Sequence, residues 1–348
     1  MTTIPETNDP RAAQRLAWAR TALDDPQASL DRASTDAGFR SYWRSSGSGV
    51  ARIVMDSPPD KEDVRPWLRL RDLLEAGEVR VPQVLARDAE TGFLLLEDLG
   101  PWTYLQTVNS GNADEMFDAA LDQLLNLQQI PPPADLPTYD AAMLARELRL
   151  FDDWFCGRHL GLALTPSERD TLEACYRFLI ESALAQPQVL VHRDFMPRNL
   201  MLPTNPDGAL GVLDFQDALY GPASYDIASL MRDAFLTWDE EFVLDITVRY
   251  WERARKRGLM DFEDWHSDFG SFWRAVEWMG LQRHLKVAGI FARLTLRDGK
   301  PKYLADAPRF IAYIRHTAGR YRELAPLLKA IDQIEGTEAV SGWAYGRV

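Results

Sequence analysis

Cysteine is scarce in this sequence, with Cys156 and Cys175 the two in 348 residues. Two cysteines are too few for a disulfide framework, and no Cys/His spacing indicates a zinc site. Long apolar runs are also missing, so no stretch approaches the length of a membrane span. The first ten residues have neither a basic region nor an apolar core, so we expect no signal peptide. These absences predict a cytoplasmic protein with no membrane partner.

Basic residues are outnumbered, with 39 Lys and Arg against 52 Asp and Glu, for a net charge of −13. Nonspecific nucleic-acid binding depends on neutralising phosphates with basic residues, so this balance argues against a nucleic-acid partner. It fits a cationic small-molecule substrate such as an aminoglycoside, but such a balance more often reflects the ordinary surface of a soluble protein. Lysine is especially rare, and Lys61 is the only lysine in the first 255 residues.

The strongest signal lies at the start of residues 189–217. The apolar, β-branched run Val189–Val191 indicates a buried strand. His192-Arg193-Asp194 follows it directly, and Asn199 comes five positions after Asp194. This spacing matches the catalytic-loop pattern H-R-D-x-x-x-x-N of phosphotransferases at every specified position. The stretch therefore predicts a phosphoryl-transfer site on a loop after a strand.

A turn and a second strand follow the loop. The cluster Asn205–Gly208 is typical of a turn, so residues 200–202 and 210–213 can pair as a hairpin. Such a hairpin would return Asp214 to the neighbourhood of Asp194 and Asn199. The second strand ends in Asp214-Phe215, and an Asp-Phe pair at the end of a strand is typical of the metal-binding segment that accompanies this catalytic-loop pattern.

Phosphoryl transfer requires these three polar groups together. An acceptor hydroxyl must be oriented and relieved of its proton, which suits the carboxylate of Asp194. The phosphates of the nucleotide repel the incoming oxygen, so Mg²⁺ must neutralise them. Mg²⁺ prefers oxygen ligands, here the amide oxygen of Asn199 and the carboxylate of Asp214. We therefore predict Asp194 as the catalytic base and Asn199 and Asp214 as metal ligands.

At these residues the chain resembles the kinase-fold phosphotransferases of small molecules, the aminoglycoside phosphotransferase and choline kinase relatives. Asp214-Phe215-Gln216 departs from Asp-Phe-Gly, and no Ala-Pro-Glu follows, which argues against a protein kinase. The resemblance implies an α+β, bilobal protein-kinase-like fold, with a small β-rich N-lobe over residues 1–100 and a larger helical C-lobe over 101–348. It also implies ATP and Mg²⁺ as cofactors, and structural roles for His192 and for Asp226, which would support the catalytic-loop backbone.

Two segments of the N-lobe are candidates for nucleotide binding. A small-residue turn between two predicted strands can offer backbone N–H groups to phosphates, and by resemblance this loop covers the nucleotide. The strand over residues 91–100 ends in Glu-Asp-Leu-Gly, which resembles the hinge between kinase lobes, where main-chain atoms reach adenine. The predicted cofactor-binding residues are Thr35, Asp36, Ala37, Gly38, Phe39, Arg40, Glu97 and Leu99.

The strand that should carry a phosphate-binding lysine does not have one. Protein kinases place this lysine at the end of Val-Ala-Ile-Lys. In the predicted strand over residues 50–55, alternation places Met55 at the position of that lysine. Either another cation replaces it, or backbone and metal hold the nucleotide. Arg40, Arg44 and Lys61 are the candidates, with Arg40 first because it lies in the predicted phosphate loop.

Periodicity and breakers predict the remaining elements. Proline and acidic residues at 58–63 indicate the start of a helix. Apolar spacing after residue 100 is typical of core-facing helices. The predicted helices are 11–23, 116–129, 141–160 and 165–186, and the remaining predicted strands are 28–33 and 81–85.

Five stretches resemble one subfamily more closely, the bacterial anomeric kinases that phosphorylate N-acetylmuramate and N-acetylglucosamine at C1. These stretches are Arg52–Asp63, Arg146–Gly161, Val189–Leu230, Gly280–Leu294 and Arg297–Lys300. The resemblance implies a sugar substrate and a role in peptidoglycan recycling, and we expect a monomer. An N-acetyl sugar needs an apolar wall and convergent polar groups. The side chains that can supply them are Glu147, Arg149, Trp154, Asp217, Arg283 and His284.

Three functions stay open at this point. The first is an anomeric N-acetylhexosamine kinase. The second is a kinase of another small alcohol, such as an aminoglycoside or a choline-like amine, and a substrate panel separates these two. The third is a nucleotide-binding pseudokinase, suggested by the missing lysine. The intact Asp194, Asn199 and Asp214 argue against a pseudokinase, since loss of function would be expected to reach the metal ligands too.

Overall fold

The computed structural model describes residues 10–34, 39–205 and 208–335, and these form a bilobal α+β fold of the kinase type. The chain divides into two compact units. The first contains the described residues up to Leu127 together with Arg198–Asp217, and the second contains Gln128–Pro197 with the described residues from Ala218 onward. The division into lobes at residue 100 stays a prediction, and the first of these two units continues to Leu127 and includes one segment of the C-terminal half.

The first unit is built on a five-stranded antiparallel sheet. Its strands are β1 (Ser29–Ser34), β2 (Ser41–Ser46), β3 (Arg52–Asp56), β4 (Val84–Asp88) and β5 (Phe93–Glu97). Their order in the sheet is β1-β2-β3-β5-β4. The predicted strands are confirmed, with shifts of one to three residues at their ends. Tyr42 on β2 and Leu94 on β5 flank Met55 on β3 in register, which fixes the alternation predicted for that strand.

An N-terminal helix, α1 (Pro10–Leu23), is tied to the end of β3 by charge. Asp56 is almost fully buried, and its two carboxylate oxygens accept from Arg11 at 2.7 Å and from Arg15 at 2.9 Å. The guanidinium of Arg15 also lies 3.7 Å from the ring centroid of Trp43 on β2. A buried carboxylate is tolerated only when it is paired and hydrogen-bonded, and α1 supplies both partners.

Helix α2 (Arg65–Ala76) begins later than predicted. The segment after β3 starts with two prolines, and the amides of Lys61 and Glu62 both bond to the carbonyl of Pro58 to form a turn. Pro66 then occupies the first turn of the helix, where its missing N–H costs nothing. Helices α3 (Tyr104–Thr107) and α4 (Ala113–Gln129) follow the sheet.

The predicted hairpin after the catalytic loop is confirmed. Strands β7 (Leu200–Met201) and β8 (Gly211–Val212) pair in antiparallel fashion, with Leu200 opposite Val212. The Val212 amide donates to the Arg80 carbonyl at 2.7 Å, which fastens the hairpin to the first unit. Residues 206 and 207 of the predicted turn lie outside the described residues.

The second unit is mostly helical. Its two-stranded sheet joins β6 (Gln188–Val191) to β9 (Leu219–Pro222) in antiparallel register, and it places the catalytic loop at the end of β6. No helix among the described residues has the length and apolarity that crossing a bilayer requires. The further helices used below are α5 (Ala141–Leu150), α6 (Pro166–Ala185), α7 (Tyr225–Met231), α8 (Glu240–Lys256), α9 (Phe269–Leu296), α10 (Ala307–Arg320) and α11 (Ala325–Glu335).

One predicted helix has two different halves. The segment predicted over 141–160 is α-helical as α5 and continues as a π-helix over Phe151–His159. At the junction α9 comes very close, since a Cβ added to Gly289 would lie 2.3 Å from the carbonyl carbon of Leu150. Glycine is therefore required where these helices meet.

The core of the second unit lies between α5, α6, α9 and α10. Its members include Phe151, Leu285 and Phe310, all fully buried. Cys156 and Cys175 belong to the same core and are free thiols. Burial raises the pKa of both thiols, so neither is a reactive thiolate near neutral pH.

Candidate active site

A cavity of about 310 Å³ lies in the first unit, a size that suits a small ligand. The predicted hinge residues Glu97 and Leu99 line it, and so do the predicted metal ligands Asn199 and Asp214. The cavity itself was not predicted, but the predicted residues come from three separate segments of the chain that the fold brings together around it. Ile53 on β3 and Leu96 on β5, which are paired in register, add an apolar surface that suits a planar base.

The hinge segment is held rigidly where β5 ends. The Glu97 carboxylate binds Arg80 at 2.5 Å, and this hydrogen bond lowers its pKa, with burial opposing. The side chain of Leu99 packs on Gly211 of β8, because a Cβ there would lie 2.5 Å from Leu99 Cδ1. Gly100 has φ of +101°, a conformation that few other residues adopt. The backbone of this segment is thereby fixed beside the cavity.

The predicted phosphate loop is only partly described. Thr35, Asp36, Ala37 and Gly38 lie outside the described residues, and Phe39 is exposed. Arg40 binds the carboxylate of Glu62. The part of this loop predicted to hold phosphates through its backbone therefore stays a prediction.

Met55, the residue predicted to stand in place of the lysine, is fully buried. Of the alternative cations, Lys61 is exposed and lies 3.3 Å from Asp60. Arg44 lines the cavity and makes a bidentate bond with Asp98, at 2.6 and 3.0 Å. Arg198 also lines the cavity, and sequence reasoning missed it. Its signal was available, since it directly precedes Asn199 in the catalytic motif.

The two predicted metal ligands come together. Asn199 ends a 3₁₀ turn over Pro197–Asn199, and its Nδ2 donates to Asp214 Oδ2 at 3.4 Å. The Leu213 amide bonds to the Asn199 carbonyl at 2.9 Å, which links the turn to the hairpin. Asp214 is exposed and has φ of 63°, an unusual conformation that turns the chain as the strand ends. An amide and a carboxylate, both with oxygen donors, fit Mg²⁺.

The first part of the catalytic loop, from His192 to Pro197, belongs to the second unit and follows the end of β6. The carboxylate of Asp226 accepts from the His192 amide at 2.7 Å and from the Arg193 amide at 3.0 Å. His192 is fully buried, and its Nδ1 accepts the Asp194 amide at 3.3 Å. These bonds fix the backbone immediately before Asp194, and they are of the kind the resemblance implied for Asp226 and His192.

The charges around Asp194 favour its ionised form. Burial alone would raise the pKa of this carboxyl, but Arg283 and Lys286 on α9, with His192 and Arg193 in the loop, outweigh that effect and lower it. Asp194 is therefore a carboxylate near neutral pH and accepts a hydrogen bond or a proton. Asp226 behaves differently, since burial raises its pKa to about 6.

Two predicted sugar contacts join the catalytic loop from other helices. Arg283 Nη1 donates to the Arg193 carbonyl at 2.6 Å, and Glu147 binds the Arg193 guanidinium at 2.5 Å. Both residues are buried, and these hydrogen bonds of their side chains are to protein groups. In the structure Glu147 and Arg283 therefore bond to Arg193 of the catalytic loop, whereas the sequence analysis predicted that they contact a sugar.

The other predicted sugar contacts take different places. Arg149 pairs with Glu173 on α6 at 2.6 Å, and Trp154 packs against the core with Arg158 over its ring. His284 is buried against Tyr313, and burial lowers its pKa to about 3, so it is neutral. Asp217 is exposed and belongs to the first unit. As sugar contacts, these four residues stay predictions.

Comparison with known proteins identifies related sequences along most of the chain. The family model described as "Phosphotransferase enzyme family" matches residues 29–278. An N-acetylmuramate/N-acetylglucosamine kinase of Pseudomonas putida is 48% identical over 343 residues, which are 95% of this chain and 98% of that protein. A protein of the same name from Neisseria meningitidis is 46% identical and covers 92% of this chain and 95% of its own.

Solved structures share the fold at low identity. An ethanolamine kinase of Plasmodium vivax superposes with a TM-score of 0.62 at 10% identity and covers 92% of this chain and 89% of its own. An ADP-bound aminoglycoside phosphotransferase gives a TM-score of 0.58 at 15% identity, with 86% and 97% covered. At such identities the likeness concerns the fold alone.

Proposed function

The chain belongs to the phosphotransferase enzyme family, and we propose that it transfers the γ-phosphoryl group of ATP to the anomeric C1 hydroxyl of N-acetylmuramate and N-acetylglucosamine. It is an enzyme that phosphorylates a sugar hydroxyl. The observation that carries the choice of sugar is the 48% identity over 95% of the chain with a kinase named for these two substrates. The name does not state which hydroxyl is phosphorylated, and we propose the one at C1.

The donor is a nucleotide, and the cavity of the first unit is where we place it. The main chain at Glu97 and Leu99 would bind adenine, next to the apolar surface of Ile53 and Leu96. Asn199 and Asp214 would hold Mg²⁺, whose charge offsets that of the phosphates as the oxygen of the sugar approaches. Arg198 adds positive charge to the same cavity, whereas the charge of Arg44 is already balanced by Asp98.

Asp194 acts on the acceptor. It orients the C1 hydroxyl and takes its proton as the hydroxyl oxygen bonds to the γ-phosphorus. The bond between that phosphorus and the β–γ bridging oxygen breaks, and ADP leaves with the electron pair. The lowered pKa of Asp194 makes it a weak base, which suits an anomeric hydroxyl, since that group is more acidic than an ordinary alcohol. Positioning and charge then supply most of the rate enhancement.

A sugar 1-phosphate is an activated precursor, so we place the reaction in the cytoplasm, in the recycling of peptidoglycan sugars. ATP is available there, and the two free, buried cysteines suit that compartment. We propose a monomer, which light scattering of the purified protein checks directly.

The test compares N-acetylglucosamine with its borohydride-reduced alditol, in a coupled assay for ADP release. Because reduction removes the anomeric centre, we expect turnover of the sugar and none of the alditol. The product should show phosphorus coupling to the anomeric proton, in a single anomeric form. Turnover of the alditol, or coupling to the C6 protons, would refute phosphorylation at C1.

The same assay separates the remaining functions. Kanamycin and choline are run beside N-acetylmuramate, and a preference for either would make the protein a kinase of another alcohol. ADP binding without release of ADP from ATP in the presence of any acceptor would indicate a pseudokinase. The Asp194→Asn protein is the background control, because it keeps the size of the side chain and loses the carboxylate.

A further inference from the structure

Arg193, the residue before the predicted base, has an unfavourable backbone conformation. Its φ is 75°, in the left-handed region that glycine adopts at little cost. A non-glycine residue is strained in this conformation, and it persists there only where its surroundings hold it. The conformation of Arg193 sets the direction in which the next residue, Asp194, leaves the strand.

Three separate elements hold Arg193, each through a different group. Its amide donates to Asp226 on α7 at 3.0 Å. Its carbonyl accepts from Arg283 on α9 at 2.6 Å. Its guanidinium donates to Glu147 Oε1 on α5 at 2.5 Å. Both backbone polar groups and the side chain are therefore bonded to buried partners.

Glu147 is itself fixed from several sides. Lys286 on α9 lies 3.0 Å from the same oxygen, and the Tyr139 hydroxyl donates to the other oxygen. Lys286 also reaches the Tyr225 hydroxyl on α7, at 3.2 Å. Burial would raise the pKa of Glu147, but Lys286 and Arg193 outweigh it and lower that pKa. Glu147 is thus a buried anion that pairs with two cations.

Many protein kinases build an equivalent pair only when they are switched on. Phosphorylation of the activation loop creates an Arg–phosphate pair, which orders the segments around the active site. In this chain an arginine of the catalytic loop already has an anionic partner, supplied by a helix rather than by a modification.

We propose that Glu147, supported by Lys286, is the permanent anion that holds the catalytic loop in its working conformation. Both are positioning residues, which act on the reaction through Arg193. The tests of this role that measure turnover rest on the proposed function. It replaces the role of sugar contact that the sequence suggested for Glu147.

The first test is Glu147→Gln, which keeps the size of the side chain and removes its charge. We expect kcat to fall on the order of 10²-fold, the effect of a misplaced catalytic group, with the KM values for sugar and ATP within about threefold of wild type. Glu173→Gln on α6 is the control, since it removes an exposed ion pair of the same unit. An unchanged kcat, or a rise in the sugar KM alone, would overturn the proposal.

Lys286 provides a rescue experiment. Lys286→Met should lower kcat, whereas Lys286→Arg keeps a cation beside Glu147 and should restore most of it. If Glu147→Gln does not fold, the double variant Glu147→Gln/Lys286→Met removes both charges of the buried pair, and such replacements are often tolerated. Its kcat should also be low, because Arg193 has lost its anion. A double variant with wild-type kcat would contradict the proposal.

One further measurement does not depend on which sugar is the substrate. Hydrogen exchange at the Arg193 and Asp194 amides should be faster in Glu147→Gln and unchanged in Glu173→Gln, and equal rates in all three proteins would overturn the proposal. Wild-type protein that turns over no sugar refutes the proposed function, and the exchange experiment still decides this inference.

Discussion

The ring of Trp67 on α2 lies 5.1 Å from the ring of Phe215, at an angle of 35°. Both side chains are buried, and both line the cavity of the first unit. Phe215 directly follows Asp214, so this apolar contact anchors the chain beside an exposed carboxylate whose own backbone is in a rarely populated conformation. A metal ligand on such a turn keeps its position because its neighbour is packed, which is how a rigid ligand site is usually supported.

Asp214→Asn should raise the concentration of Mg²⁺ needed for half-maximal activity by about tenfold or more, because the site loses the charge of one ligand. Turnover at saturating Mg²⁺ should fall as well. A Mg²⁺ titration of ADP release measures both effects. Asp114→Asn on α4, an exposed aspartate of the same unit, provides the comparison. If both variants share the wild-type titration curve, the metal is held by other groups.

Asp194→Asn should fold normally and lose on the order of 10²- to 10⁴-fold in kcat, the usual contribution of a positioned base. Binding of ADP should not change, because the proposed nucleotide cavity is in the other unit. Steady-state kinetics and calorimetric titration with ADP test the two parts separately. A well-folded variant with near-wild-type turnover would rule out Asp194 as the base.

Arg198→Ala should raise the KM for ATP more than Arg40→Ala does, because Arg198 lines the cavity beside Asn199 while Arg40 is paired with Glu62. The loss should be large for ADP and small for adenosine, since the charge acts on phosphates. Met55→Ala should leave nucleotide affinity almost unchanged, although removing this buried side chain destabilises the fold by roughly 2–5 kcal/mol. Equal, small effects of both arginines would leave backbone and metal as the phosphate ligands.

Asp152→Asn should stabilise the protein at pH 8 and have little effect near pH 4. Burial is the main cause that raises the pKa of Asp152 to about 6, from 3.8, although Tyr176 donates to it. The folded state thus binds more protons than the unfolded state between about pH 4 and 6, so the penalty of the charge is present above pH 6 and disappears below pH 4. It amounts to about 3 kcal/mol at most.

Urea unfolding at the two pH values measures this difference. Asp153→Asn, an exposed neighbour on the same π-helix, removes a charge that is not buried and should stabilise the protein less at pH 8. A stabilisation by Asp152→Asn that is equal at both pH values would show that the carboxyl group does not titrate in this range.

Short-range chemistry in the sequence predicted much of the fold. Apolar runs bounded by turn residues predicted the strands, and the spacing from His192 to Asn199 predicted a loop at the end of β6, with a hairpin after it. Helix α2 was placed too early, because the acidic residues before it form a turn. The π-helix was not predicted, since periodicity does not register the close contact of Gly289 with Leu150.

The partners of single side chains were harder to predict. Glu147 binds Arg193, which is 46 residues away, and Lys286. A glutamate with helical spacing gives no sign of such distant partners, so a sugar contact was the natural interpretation. Arg198 shows the opposite case. Its position in the motif was visible, but the search for a cation was confined to the strand and the loop near Met55.

The ion pairs at Asp56 mean that the sheet of the first unit contains a buried negative charge that no residue of the sheet balances in these pairs. The strand position after Met55 carries an anion, and the cations that balance it, Arg11 and Arg15, come from α1. A protein shortened to start at β1 would keep every strand, yet it would hold a desolvated carboxylate with no counter-ion. Breaking a buried pair in this way costs about 3–5 kcal/mol, a large share of the stability of an ordinary domain. Affinity tags or fusions that displace α1 would therefore destabilise the sheet of the first unit.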